Sequence, residues 1–150
     1  MQSRMINILL VEDDEVDVMN VRRAFTKNSI THPLYVASNG LEALAKLRAQ
    51  DNSIRIPADR RLILLDLNMP KMGGIEFLKR LRADPTLRNI PVIVLTTSNQ
   101  DKDRVEAYDL NVAGYILKPV TFANFSEAMA TLNKYWALCE LPKGHEANIY

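Results

Sequence analysis

Six side chains able to handle charge stand where apolar runs stop: Glu12, Asp13 and Asp14 after "INILLV", Asp66 after "LILL", Thr96 after "VIVL" and Lys118 after "GYIL". The question is sharpest at Asp66, because a strongly hydrophobic stretch delivers an ionisable carboxylate and is broken at once by Pro70, Gly73 and Gly74. Burying a charge without partners is costly, so such a residue is wasted, paired or functional. Several carboxylates brought close together cannot all ionise without a counter-charge. An all-oxygen donor set lacking His and Cys suits a hard divalent cation, magnesium rather than zinc. Lys118 adds a monovalent cation and Thr96 a hydroxyl donor. Together they suit phosphoryl transfer, with the carboxylate of Asp66 as nucleophile and the cations and hydroxyl stabilising phosphoryl oxygens. Taken singly, each residue has a plainer reading: a strand-end Asp is most often a helix cap or turn residue, and a lysine is usually solvated. The conjunction, in the order acid, acid, hydroxyl, lysine, favours a site.

Those residues need elements to bring them together. "MINILLV", "LYVA", "LILLD", "PVIVL" and "AGYIL" read as five short apolar strands. Between them Val18, Val21 and Phe25, then Leu41, Leu44 and Leu47, then Ile75, Leu78 and Leu81 recur at helical spacing. A short helix is expected over about 100–109 and a last one over about 121–139. Residues 50–61, "QDNSIRIPADRR", read as a polar connection. Alternating apolar strands and amphipathic helices predict a doubly wound parallel sheet covered on both faces. Right-handed crossovers then bring every strand's C-terminal end to one edge, where such sheets bind ligands.

The 150 residues, 47% hydrophobic and 25% charged, fit one globular domain: residues 1–140 with an extended last helix, then a tail over 141–150. A formal net charge of +1 gives no overall field for nucleic acid or an anionic membrane. One cysteine, Cys139, permits no intrachain disulfide and points to a reducing, cytoplasmic setting. No apolar stretch approaches the roughly 18–20 residues needed to span a bilayer, and the N-terminus lacks signal-peptide character.

The motifs "LLVEDD", "LLDLNMPKMGG", "PVIVLTT" and "GYILKPV" resemble those of the receiver domain of bacterial two-component response regulators, and the resemblance runs from about Met5 to Trp136. It implies a five-stranded sheet of order 2-1-3-4-5. It also implies that Asp66 is the phosphoacceptor, that Mg2+ is held by Glu12, Asp13, Asp66 and the backbone carbonyl of Asn68, and that Lys118 pairs with the phosphoryl group. Asp13 and Asp66 would coordinate directly and Glu12 through water. Thr96 and Tyr115 match the family's switch pair, Thr96 swinging toward the phosphoryl oxygen as Tyr115 rotates inward. The Lys118–Pro119 bond is expected to be cis. Asp14 is left as a helix N-cap. Since little chain follows Trp136, the resemblance points to a stand-alone receiver without a DNA-binding output domain. "VEDDEVDVMNVRRAF", the 50–61 connection and the long last helix resemble the small regulators of bacterial and cyanobacterial phytochrome histidine kinases. The implied partner is therefore a sensor histidine kinase of bacteriophytochrome type, and the protein is a signalling phosphoacceptor rather than an enzyme.

Phe122, Phe125, Met129, Leu132, Trp136 and Cys139 form one apolar stripe along the last helix. Its first part is expected to cover the sheet. Trp136 and Cys139, one to two turns further on, are expected to be exposed and to form a homodimer surface, the phytochrome-linked regulators pairing through the fourth and fifth helices and last strand. Three rival readings weigh less. A haloacid-dehalogenase-type phosphohydrolase would want an acid where Asn68 stands, a vestigial binding module would not need the full set of pocket residues, and an acidic edge would repel a flavin phosphate.

Overall fold

The computed structural model describes residues 5–49 and 55–143. Ten elements alternate: β1 (Asn7–Val11), α1 (Glu15–Lys27), β2 (Leu34–Ala37), α2 (Gly40–Arg48), β3 (Arg61–Leu65), α3 (Gly74–Ala83), β4 (Val92–Thr96), α4 (Asp101–Asp109), β5 (Gly114–Leu117) and α5 (Phe122–Leu138). The five strands form one parallel sheet, as the alternation predicts, in the order β2-β1-β3-β4-β5 that the family resemblance implies.

Period-two patterning accounts for the two covered faces. Leu9, Val11, Ile63, Leu65, Val92 and Val94 point to one side, where Leu44, Leu47, Phe77, Leu78 and Leu81 of α2 and α3 meet them. The intervening Ile8, Leu10, Leu62, Leu64, Ile93 and Leu95 point to the other, under Val21, Ala24 and Phe25 of α1 and Phe125 and Met129 of α5. Strands buried on both faces have no polar side, which explains their uninterrupted apolar runs. Helix α1 is capped by Asp14, whose Oδ1 accepts from the Val16 N–H at 2.8 Å. Asn39 and Thr121 cap α2 and α5 in the same way.

Three expectations need correction. Trp136 is 2% exposed: α5 continues over the sheet, and the indole packs among core residues on the α1 side while its Nε1 donates to Asn133 Oδ1 at 2.9 Å. The exposed large apolar side chains at that end of the helix are Tyr135 (62%) and Leu138 (83%), and Cys139 is half-buried. No peptide bond among the described residues is cis, so Lys118–Pro119 is trans. Trans is the intrinsic preference even before proline, by ~0.5–1 kcal/mol, and the Lys118 N–H still reaches Thr96 O at 2.8 Å. Arg61 is no part of a solvated connection: it opens β3, buried, with its guanidinium donating to the carbonyls of Pro57, Leu47 and Ile56. The rest of that connection falls partly outside the described residues (50–54), as do residues 144–150 of the tail.

Candidate functional site

Sheet register builds the site. Val11 pairs with Leu65 and with Ala37, so Glu12 and Asp66 leave adjacent strands at the same level. Their first backbone bonds hold them there: Asp66 N–H donates to Val11 O at 3.0 Å and Glu12 N–H to Ala37 O at 2.9 Å. Thr96 pairs with Leu117 across β4 and β5, which brings Lys118 to the same edge.

Asp66 is 6% exposed, and its Oδ1 accepts from the fully buried Thr96 hydroxyl at 2.8 Å. The Lys118 ammonium stands 3.9 Å from Asp66 Oδ2. Its short contacts lie elsewhere, with Glu12 Oε1 at 2.6 Å and Asp17 Oδ2 at 2.7 Å. Glu12 is buried, and its second oxygen accepts from the Asp14 N–H at 3.2 Å. Burial pushes the Glu12 carboxyl up to about 7, helped by the neighbouring Asp66 charge and opposed by the Lys118 bond. For Lys118, burial works against the ammonium, but the bonds to Asp17 and Glu12 and the charge of Asp66 outweigh it, so its pKa is raised.

One carboxylate oxygen each from Glu12, Asp13 and Asp66 lie within 4.8 Å of one another, with Asp13 exposed on the solvent side. Hard, closely spaced oxygen donors fit Mg2+ or Mn2+ and offer nothing to a softer metal. Asn68, the fourth expected ligand through its carbonyl, lies two residues beyond Asp66 in the β3–α3 loop and is exposed.

That loop is tightly constrained. Lys71 and Met72 both adopt left-handed backbone (φ 49° and 70°), a conformation that costs non-glycine residues energy and persists only where surroundings enforce it. Two backbone bonds hold the loop, Gly40 N–H to Met72 O at 3.1 Å and Gly74 N–H to Leu67 O at 3.1 Å, and a Cβ at Gly74 would lie 2.7 Å from both the carbonyl oxygen of Asp66 and Cα of Leu67. Glycine at the start of α3 lets the helix pass against the backbone that presents Asp66.

Tyr115 lies half-buried on β5, and its hydroxyl donates to Ser98 O at 2.8 Å, two residues past Thr96. The Arg104 guanidinium of α4 sits 5.7 Å from the centre of its ring. Every site residue expected from the sequence except Trp136 and Cys139 is thus gathered at or beside one sheet edge. Asp17 was not expected there. Its only signal was its place in the first turn of α1, three residues after the capping Asp14, which turns it back over the strand ends.

A parallel sheet of this order with an acidic trio, a hydroxyl and a lysine at its C-terminal edge defines a class, and the chain belongs to the response regulator receiver domain family, whose model matches residues 8–130. Among its relatives, the response regulator Rcp1 of Synechocystis sp. is 36% identical over 129 residues, 86% of this chain and 87% of that protein. The "Probable methanogenesis regulatory protein FilR2" of Methanothrix harundinacea is 38% identical over 130 residues, 86% of this chain and 82% of the other. The crystal structure of the phosphorylated cyanobacterial phytochrome response regulator RcpA superposes with a TM-score of 0.82 at 35% identity, covering 93% of this chain and 99% of that one. Rcp1 has also been crystallised in a Mn2+-bound form.

Proposed function

We propose that Asp66 accepts a phosphoryl group from the phosphohistidine of a sensor histidine kinase, and that the resulting acyl phosphate switches the α4–β5–α5 face for protein–protein signalling. The carrying observation is the state of Asp66: buried, backed by a hydroxyl at 2.8 Å and by an ammonium at 3.9 Å, and grouped with the carboxylates of Glu12 and Asp13. In the transfer a carboxylate oxygen of Asp66 attacks phosphorus, the P–N bond to the kinase imidazole breaks, and its electron pair returns to the ring nitrogen. Lys118 and the Thr96 hydroxyl meet the phosphoryl oxygens as charge moves onto them. Glu12, Asp13, Asp66 and the carbonyl of Asn68 would hold Mg2+, which when bound neutralises phosphoryl charge. The chain acts on no separate substrate; it promotes its own phosphorylation and dephosphorylation.

Thr96 and Tyr115 form the switch. Thr96 already points at Asp66, and Tyr115 is tied to the backbone of the loop that follows Thr96. A shift of the Thr96 hydroxyl toward a phosphoryl oxygen therefore pulls on the Ser98 carbonyl, Tyr115 and the adjoining α4.

The likeness to the phytochrome response regulator RcpA supports a bacteriophytochrome-type kinase as the partner, and the single cysteine fits a cytoplasmic setting. Self-association as a two-fold homodimer fits the exposed apolar side chains of the same face: Val105 and Tyr108 on α4, Leu117 on β5, and Tyr135 and Leu138 on α5, next to Cys139. The test is phosphotransfer from a purified, labelled phytochrome kinase. Label should move to this chain and not to an Asp66→Asn variant. Failure to accept label from any kinase or small phosphodonor would contradict the phosphoacceptor role, and equal rates from unrelated kinases would contradict the phytochrome assignment.

A further inference from the structure

Asp17 lies outside the acidic trio, yet it makes one of the two short contacts of Lys118. The lysine ammonium has three N–H donors and no acceptor. Glu12 Oε1 at 2.6 Å and Asp17 Oδ2 at 2.7 Å occupy two of them from different elements, the end of β1 and the first turn of α1. The remaining direction faces Asp66 Oδ2 across 3.9 Å, too far for a hydrogen bond. A phosphoryl group built on Asp66 carries its oxygens outward into that gap.

We propose that Asp17 is a positioning residue for phosphoryl transfer, holding the Lys118 ammonium clear of the Asp66 carboxylate and at the place where a phosphoryl oxygen will arrive. This rests on Asp66 being the phosphoacceptor. Without Asp17, only Glu12 tethers the ammonium, which is then free to move onto Asp66. A direct ion pair there would lower the nucleophilicity of the carboxylate and occupy the path of attack. Asp17 is the member of this arrangement that can be altered with least damage: its side chain is 34% exposed, it caps no helix, and it is not among the three acids spaced to hold a cation. The helix places it well, because Asp14 fixes where α1 begins and so which first-turn residue overhangs the strand ends.

The experiment follows phosphorylation of the full chain by acetyl phosphate with saturating Mg2+, using intact mass against time for wild type, Asp17→Ala, Asp17→Asn and Asp66→Asn. Asp17→Ala should lower the maximal rate about tenfold, the scale expected for losing one charge-assisted hydrogen bond, with the half-saturating phosphodonor concentration and the melting temperature unchanged. Asp17→Asn, which keeps an acceptor oxygen, should recover most of the rate. The protected Lys118 ammonium resonance in nitrogen-15 NMR should vanish in Asp17→Ala and persist in Asp17→Asn. Wild-type rates in Asp17→Ala would overturn the proposal while leaving Asp66 as phosphoacceptor. So would a rate loss that merely tracks a fall in melting temperature and that asparagine does not relieve. Should wild type itself gain no phosphoryl group from acetyl phosphate or from a kinase, both readings fall together.

Discussion

Gly74 shows how strictly single atoms are specified around Asp66, the proposed phosphoacceptor. Its missing side chain is a steric requirement of the backbone that carries Asp66, since an added Cβ would overlap Asp66 O and Leu67 Cα at 2.7 Å. Gly74→Ala should therefore cost about 1–3 kcal/mol by urea denaturation, as overpacked sites do, and slow phosphorylation by moving Asp66. Unchanged stability and rate would mean that the loop yields freely. Thr96→Ala makes the complementary test. Asp66 loses its one side-chain hydroxyl partner, so phosphorylation should persist, slowed, while phosphorylation-induced shifts at Ser98 and Tyr115 in NMR disappear. Full conversion from 1:99 to 99:1 would need about 5.5 kcal/mol of differential stabilisation, and a single charge-assisted bond of ~1.5–3 kcal/mol supplies a large share of it. At this scale the sequence was most readable where chemistry was concentrated. Glu12, Asp66, Thr96 and Lys118 announce themselves by ending apolar runs, whereas Asp17 sits in a polar stretch and is marked only by helical geometry set at Asp14.

Helix α5 is the element whose role changed most between sequence and structure. Its apolar stripe is continuous from Phe122 to Cys139, and periodicity alone cannot say where the covering body ends. The hydrophobic bottom of the sheet extends far enough, through Ile6 and Ile30, for Trp136 to be enclosed. Trp136→Ala should consequently destabilise the fold by about 3–5 kcal/mol, and it is no longer a clean probe of self-association. The same end of α5 is latched by Asn133, which accepts from the Trp136 indole and hydrogen-bonds His32. His32 in turn accepts from the Ile6 N–H through Nδ1 at 3.1 Å. Burial disfavours the charged imidazole and lowers its pKa from 6.5, with the nearby Arg60 charge acting in the same direction and the Asn133 bond against it. A depressed folded pKa means that the unfolded chain binds the proton more readily. The contribution is complete above pH about 6.5 and is lost as pH falls through the folded value. Stability measured by urea denaturation should thus decline below pH 6.5, and His32→Gln should flatten that part of the profile; an unaltered slope would remove His32 as its source. By contrast α4 buries only Ala107, which leaves it the most weakly anchored helix beside the proposed switch pair and the one best able to respond.

For the molecule as a whole, the parallel, two-sided core was legible because the strands are apolar through their middles and α1, α2, α3 and α5 each carry a buried stripe, whereas the strand order followed from the family motifs. Strand ends were legible only to within one or two residues, since the ladder takes in polar end residues, Arg61 paired with Asn7 and Thr96 paired with Leu117. The proposed homodimer depends on a surface property, written in which apolar residues remain outside once the core is filled. Among those are Tyr135 and Leu138 on α5, Val105 and Tyr108 on α4 and Leu117 on β5. Leu138→Glu should weaken a homodimer at least tenfold in sedimentation velocity with the melting temperature held, and an unchanged monomer–dimer equilibrium would exclude this face. Everything else depends on Asp66 being phosphorylated. Intact-mass analysis after incubation with acetyl phosphate, with and without Mg2+, on wild type and Asp66→Asn, addresses this most directly. One hydroxylamine-labile phosphoryl group should appear in wild type only with Mg2+, and none in Asp66→Asn. A phosphoryl group retained in Asp66→Asn, or none gained by wild type from acetyl phosphate or from a kinase, would contradict it.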